Sequence, residues 1–175
     1  YKDRARKQEV LSQGIHEFLE FPGLVMTDSG AFQQFSGAVY LKNRTIVGFQ
    51  RDIGVDVVSP LDVITPPGDG RKVAEKKMLA TLRRVEEGLA LCGDCLLAGV
   101  QQGGRFLDLR ARCVEMLAGM GAGYVALGAL VPFFSRNHDI AFVCRVIARA
   151  RELLPQSVPI HLYGAGDPLE LPFYL

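Results

Sequence analysis

The sequence lacks several features that would assign it to a common protein class. No apolar run approaches the ~20 residues that cross a bilayer, and no secretory signal is visible. The formal net charge is only +1, so binding to nucleic acid would need a local basic patch. The nucleotide-binding signatures G-x-G-x-x-G and G-x-x-x-x-G-K-[ST] are missing. The first and last of these absences argue against a membrane span and a nucleotide-binding open sheet.

Cysteine is scarce, and the four cysteines predict a reducing, cytoplasmic environment rather than a disulfide scaffold. Cys92 and Cys95 have the spacing of a metal or redox pair, but no second pair accompanies them. We therefore predict a structural role for both and no metal site in this chain. Cys113 and Cys144 fall on apolar helix faces and are predicted to lie in the core.

The apolar segments that are present predict an α/β fold. Strand-like runs return about every 30–40 residues, mostly with a helix between them, which is typical of a parallel sheet. Such a sheet is either open and doubly wound or part of a (β/α)8 TIM-type barrel. A full barrel needs ~250 residues, so five strands would form an incomplete one. The predicted strands are 23–26, 55–62, 96–101, 124–127 and 159–163, and 38–41 is predicted as a short strand or hairpin arm.

The helices between these strands are predicted from apolar spacing and capping residues. A first helix should end at Gly14, and Asn43 and Asp69 are predicted to cap the helices that follow them. The predicted ranges are 1–14, 43–52, 71–91, 107–120 and 140–154.

The residues that end the strands predict a functional site. Because parallel strands end on one rim, we expect Asp28, Asp62, Gln102, Gly128 and Tyr163 to converge there. Two carboxylates facing one ligand suit general acid–base chemistry or attack at a sugar carbon.

The remaining side chains at this rim suit a flat heterocycle such as a purine. Gln102 offers a donor and an acceptor, and Gly103 and Gly128 permit close backbone approach. Phe32 and Tyr163 either stack on the two faces of the ring or are ordinary core aromatics. Among the histidines, His161 is expected in a core or supporting position, whereas His16 and His138 show no partner pattern.

Taken in order, these motifs resemble the tRNA-guanine transglycosylase family, most closely its archaeal, archaeosine-type branch. As a set they are specific, although none is so alone. The matching segments are Y-K-D at 1–3, G-I-H at 14–16, T-D-S-G-A-F-Q at 27–33, N-R at 43–44, F-Q-R-D-I-G-V-D at 49–56, L-D at 61–62, T-P-P at 65–67, V-Q-Q-G-G at 100–104, D-L-R at 108–110, L-G at 127–128, V-P at 131–132 and H-L-Y-G-A-G at 161–166.

The resemblance implies a (β/α)8 barrel enzyme that exchanges a guanine in tRNA for a 7-deazaguanine base. It implies that Asp28 is the acid/base carboxylate and that Asp62 and Gln102 read the edge of the base. The implied substrate-binding residues are Asp28, Ser29, Phe32, Asp62, Gln102, Gly103, Gly128 and Tyr163.

The resemblance also implies parts that this chain does not contain. The family's nucleophilic aspartate and zinc-binding cysteine cluster follow 164–166, so Cys92 and Cys95 do not take the zinc role. Residues 1–175 would be the central part of one barrel domain, without its first strand, last strand and zinc-binding segment. The full-length protein is expected to bind tRNA and the deazaguanine base, to hold zinc and to form a homodimer.

Departures from the family pattern leave other functions open. Ala31 and Ala129 stand where family members often have smaller residues, and Asp167 stands where the archaeal branch has histidine. These changes are consistent with an archaeosine-synthase-like paralogue, a relative acting on DNA, or a non-catalytic subunit that binds a base or tRNA. An unrelated barrel enzyme acting on a sugar or phosphate is disfavoured by the ordered motifs.

Overall fold

A parallel sheet of four strands, paired in the same order as they occur in the sequence, forms the centre of the fold. The computed structural model describes residues 3–135, 139–165 and 167–174, so the predictions on Tyr1, Lys2, His138 and Gly166 lie outside the described residues. The strands are β1 (Val57–Val58), β2 (Leu96–Gln101), β3 (Tyr124–Leu127) and β4 (Ile160–Leu162). All three strand pairs are parallel. The predictions of an α/β fold and of strands 96–101 and 124–127 are confirmed.

Helices connect the strands and carry most of the core. Within the described ranges, no helix is both long and apolar enough to cross a membrane. The helices are α1 (Arg4–Gln13), α2 (Ile15–Leu19), α3 (Ala31–Phe35), α4 (Asn43–Asp52), α5 (Arg71–Leu89), α6 (Leu107–Gly119), α7 (Val131–Ser135) and α8 (Ile140–Leu153), followed by a 3-10 turn at Leu171–Phe173.

The two faces of the sheet have different neighbours. Leu97, Val125 and Leu127 belong to the main core, which α5, α6 and α8 complete. Parallel strands joined in sequence order by right-handed crossovers place their helices on one face. The other face carries a smaller apolar cluster around Ala98 and Val100, with Tyr163 packed against it. The strand ends therefore deliver side chains to the face that these helices leave uncovered.

The first two predicted strands are much shorter than expected. Of 23–26, only Met26 pairs, through a single parallel bridge to Val57. The Val25 N–H donates instead to Asp56 Oδ2 at 2.7 Å. Of 55–62, only β1 remains, because the Ser59 N–H and carbonyl both bond to the side chain of Gln50. Side-chain amide and carboxylate groups thus replace part of the strand pairing here, whereas the Val25 carbonyl still accepts from the Asp56 and Val57 N–H groups.

Three further local predictions were wrong for identifiable reasons. Residues 38–41 form no strand, since the Leu41 N–H donates to Gln34 Oε1. The cap of α4 is Lys42, and the cap of α5 is Gly70. Asp69 instead forms an ion pair with Lys77 at 2.6 Å. The helix predicted to end at Gly14 does so, with Gly14 at φ 85°.

Candidate active site at the carboxyl ends of the strands

The centre of the site is a hydrogen-bonded pair formed by Asp62 and Gln102. Gln102 Nε2 donates to Asp62 Oδ2 at 2.6 Å, and Gln102 Oε1 accepts from the Thr65 N–H at 3.2 Å. Burial raises the pKa of Asp62 to about 6; the Gln102 hydrogen bond lowers it, and the negative charge of Asp28 raises it. The structure therefore holds a carboxyl group that ionises close to neutral pH.

Two helices fix the backbone on either side of Asp62. Asn43 Oδ1 accepts from the Leu61 N–H at 2.8 Å, and Arg84 donates to the Leu61 carbonyl at 2.8 Å. On the other side, Thr81 Oγ1 accepts from the Val63 N–H at 2.9 Å. Asn43 was predicted as a helix cap, but it is buried and holds this strand end instead.

Asp28 lies on the same rim and is exposed. Its Oδ1 accepts from the Gly30 N–H at 3.1 Å, and Gly30 has φ 80° at the start of α3. The charge of Asp28 raises the pKa of both Asp62 and Tyr163, so the three groups share one electrostatic environment. Asp28 also lines a cavity of about 590 Å³ between its loop and α4. It is the more accessible of the two carboxylates.

Tyr163 lies near the two carboxylates, Asp28 and Asp62, and is anchored through its hydroxyl. The Tyr163 hydroxyl is 3.1 Å from Ser59 Oγ, and burial strongly raises its pKa. Its ring packs edge-on against His161 at a centroid distance of 4.8 Å. His161 Nδ1 in turn lies 3.2 Å from the Tyr124 hydroxyl, and burial lowers the pKa of His161. His161 thus supports Tyr163 from the side.

Ser29 and Phe32 are placed differently from the other predicted site residues. Ser29 is buried, and its Oγ accepts from the Ala31 N–H at 3.3 Å, which stabilises the start of α3. The Phe32 side chain is 65% exposed on α3. Stacking of a base between Phe32 and Tyr163 stays a prediction.

The glycines of the site make room for protein groups. A Cβ atom on Gly128 would lie 2.6 Å from Gln102 Nε2 and 2.9 Å from the Gln101 carbonyl oxygen. Gly103 has φ 146°, and a Cβ atom there would lie 2.9 Å from the backbone nitrogen of Arg110. Gly128 is therefore required so that the Gln102 amide can reach Asp62.

We expect Gly128→Ala to destabilise the protein by about 1–3 kcal/mol, as overpacking in a well-packed region usually does. The added methyl group would displace the Gln102 amide and weaken its bond to Asp62. Thermal or denaturant unfolding measures the effect. Gly68→Ala is the matched control, since no atom lies within 4 Å of its added Cβ. Equal stability of the two variants would contradict the expectation.

Arg110 is a buried part of the site that sequence reasoning missed. Its guanidinium donates to the Gly104 carbonyl at 2.6 Å, to Gln101 Oε1 at 2.9 Å and to the Gly128 carbonyl at 3.2 Å. Burial lowers its pKa to about 10, so it remains charged at neutral pH. It ties together the ends of β2 and β3. The available signal was an arginine among the apolar positions of α6.

Ala129 has a backbone conformation that favours glycine, with φ 54°. A smaller residue here, as the family resemblance implies, would adopt this conformation with less strain. Ala31, the second such position, is the first residue of a regular helix and has no positive φ.

The described residues do not fit a zinc site. Across 3–135, 139–165 and 167–174, no three His, Cys, Asp or Glu side chains form a group that could hold a metal ion. Burial raises the pKa of both Cys92 and Cys95, which keeps these thiols protonated at neutral pH.

The remaining cysteine and histidine predictions have mixed outcomes. Cys113 is buried as predicted, whereas Cys144 is only partly buried and lies 3.2 Å from the Phe173 carbonyl. His16, for which no partner was predicted, has its Nε2 3.1 Å from Asp56 Oδ2.

This geometry defines an α/β protein whose strand ends combine two carboxylates, an amide and a tyrosine. The family model described as queuine tRNA-ribosyltransferase matches residues 2–174, and the chain belongs to this family. The resemblance found in the motifs is thereby confirmed.

The chain is similar to archaeal proteins named tRNA-guanine(15) transglycosylase. It is 40% identical to the one from Methanopyrus kandleri over 95% of this chain and 36% of the relative. For Thermoplasma acidophilum the identity is 35%, over 95% of this chain and 26% of the relative. For Nanoarchaeum equitans it is 34%, over 97% of this chain and 41% of the relative. The chain thus spans about a third of the length of the curated relatives it matches.

Proposed function

We propose that the full-length protein containing this chain is an archaeosine-type tRNA-guanine transglycosylase, which exchanges a guanine in tRNA for a 7-deazaguanine base. The observation that carries the proposal is the hydrogen-bonded pair of half-buried Asp62 and buried Gln102, beside Asp28. The Watson–Crick edge of guanine has two neighbouring donors and one carbonyl acceptor. Ionised Asp62 accepts from the two donors, and Gln102 Nε2 has a second hydrogen to donate to the carbonyl.

Asp28 is suited to the proton transfers of this exchange. When the C1′–N9 bond of the tRNA nucleotide breaks, the departing guanine takes the bonding electrons and needs a proton at N9. Asp28 in its acid form supplies that proton and becomes a carboxylate. The carboxylate then accepts the N9 proton of the incoming base as the new bond to C1′ forms. The nucleophile at C1′ is not assigned to a residue of this chain.

The fold proposal is that the sheet is part of a (β/α)8 barrel. Its support is the sequential parallel order of the strands, since a doubly wound sheet reverses its strand order at a switch point. Residues 1–175 would then be the central part of the barrel domain, with further strands completing it. For the full-length protein we also propose a zinc ion held by residues outside this chain, a homodimer and a cytoplasmic location. Metal analysis, light scattering and cell fractionation test these three.

The exchange is tested with tRNA that carries radiolabelled guanine. The full-length protein and an unlabelled 7-deazaguanine base are added, and free labelled guanine is measured over time. We expect release that depends on both the protein and the added base. A parallel reaction uses labelled duplex DNA. No release from tRNA, or release from DNA alone, would overturn the proposal.

We expect the affinity for the free base to fall about tenfold between pH 7 and pH 5. The pKa of Asp62 is raised to about 6, so the carboxylate that accepts from the base is mostly ionised at pH 7, whereas only about one tenth is ionised at pH 5. Isothermal titration calorimetry across this range measures the change. Asp62→Asn, which does not ionise, should flatten this dependence. Tighter binding by the wild type at pH 5 would show that the protonated acid is the binding form.

A further inference from the structure

The side-chain amide of Gln50 lies buried between two strand ends of the site. Its Oε1 accepts from Thr27 Oγ1 at 2.8 Å and from the Ser59 N–H at 2.9 Å. Its Nε2 donates to the Ser59 carbonyl at 2.8 Å and to the Ile46 carbonyl at 3.3 Å. The side chain is 3% exposed. Because Ser59 offers both a donor and an acceptor, the orientation of the amide is fixed.

The position of Gln50 explains why strand pairing stops where it does. Met26 and Val57 form a single parallel bridge, and toward the rim Thr27 follows Met26 by one residue and Ser59 follows Val57 by two. Between those two the Gln50 amide takes the place of direct backbone pairing. The two strand ends are therefore held apart by the width of a side chain, at a separation set by the three hydrogen bonds that Gln50 makes with Thr27 and Ser59.

The groups joined by Gln50 lead directly to the site. Thr27 precedes Asp28, and Ser59 Oγ lies 3.1 Å from the Tyr163 hydroxyl. A chain of contacts thus runs from Thr27 through Gln50 and Ser59 to Tyr163. Gln102 takes no part in this chain of contacts, since among the described residues its side-chain amide bonds Asp62 and Thr65.

We propose that Gln50 is a positioning residue that sets the place of Asp28 relative to the Asp62–Gln102 pair, acting through Thr27 and Ser59. The inference rests on the proposed function, because the role of Gln50 is measured through the rate of the exchange reaction. A base read by Asp62 presents its N9 at a fixed place. Asp28 transfers a proton there efficiently only if its own strand end is fixed. Loss of the Thr27 hydrogen bond therefore affects turnover more than base binding.

The test compares Thr27→Val with Thr27→Ser in the full-length protein. Valine has nearly the shape of threonine but lacks the hydroxyl, whereas serine retains it. We expect Thr27→Val to lower kcat about tenfold, less than the roughly 10²–10⁴-fold that a positioned acid–base group contributes as a whole, with the KM for the deazaguanine base within about twofold. Thr27→Ser should restore most of kcat. Gln50→Met, which removes all four hydrogen bonds, should lower kcat further.

Val143→Ala is the control for a general loss of stability, since Val143 is buried in α8 and takes no part in the contacts that run from Thr27 to Tyr163. It should lower the Tm and leave kcat unchanged. If the wild type exchanges the base and Thr27→Val has the same kcat as the wild type, the inference is overturned. The inference would also be overturned if Val143→Ala and Thr27→Val had the same Tm and lost kcat to the same extent. Absence of exchange by the wild type would instead count against the proposed function.

Discussion

Asp28→Asn in the full-length protein is expected to reduce guanine release from tRNA about a thousandfold. Asparagine keeps the size of the side chain and still accepts from the Gly30 N–H, but it cannot supply or take a proton at N9. Positioned general acid–base groups contribute about 10²–10⁴-fold to rate. Single-turnover release of labelled guanine measures the loss directly. The affinity for the free base should change by less than about fivefold, because Asp62 and Gln102 remain in place.

The matched control is Asp94→Asn. Asp94 is also exposed but lies in the turn before β2, at the opposite end of the strands. The Asp94→Asn variant should release guanine at the wild-type rate. Turnover by Asp28→Asn within about tenfold of the wild type would remove Asp28 from the acid/base role, since that role predicts a larger loss.

Asp62→Ala should weaken binding of the free base about a hundredfold. The mutation removes the acceptor for the base and leaves Gln102 Nε2 without its partner in a fully buried position. Hydrogen bonds to a charged group contribute about 1.5–3 kcal/mol, and a site built for such bonds discriminates strongly when they are lost. Calorimetry with the free deazaguanine gives the affinity.

Two further variants separate the causes of this loss. Asp62→Asn retains an acceptor for Gln102 but not the charge, and its affinity should fall between those of the wild type and Asp62→Ala. Glu115→Ala removes an exposed carboxylate on α6 and should bind normally. Near-normal affinity of Asp62→Ala would show that the base is read elsewhere.

The strands that could be predicted from sequence are those with ordinary backbone pairing. β2 and β3 have neighbours on both sides, so their apolar runs coincide with the paired residues. Residues 23–26 and 55–62 also contain apolar runs, but Asp56 and Gln50 take over part of their hydrogen bonding. The sequence pattern of a strand does not show that a side chain from another helix or segment takes up its hydrogen bonds.

The same reasoning explains which parts of the site were found. Asp62, Gln102 and Gly128 were predicted because they end or directly follow predicted strands, and the structure brings them together. Gln50 and Arg110 were missed as site residues because a polar side chain on a helix ordinarily faces solvent. Only the three-dimensional structure shows that these two are buried and bonded to the strand ends.

The agreement between strand order and sequence order has a consequence for biosynthesis. Each strand pairs with the strand made just before it, so a partner is already present when the next strand leaves the ribosome. The sheet is able to grow one strand at a time during translation, and no newly made edge has to wait for a distant segment. The helix that follows each strand covers that part of the sheet before the next strand is added. Such stepwise growth limits the time during which an unpaired edge is open to association with another chain.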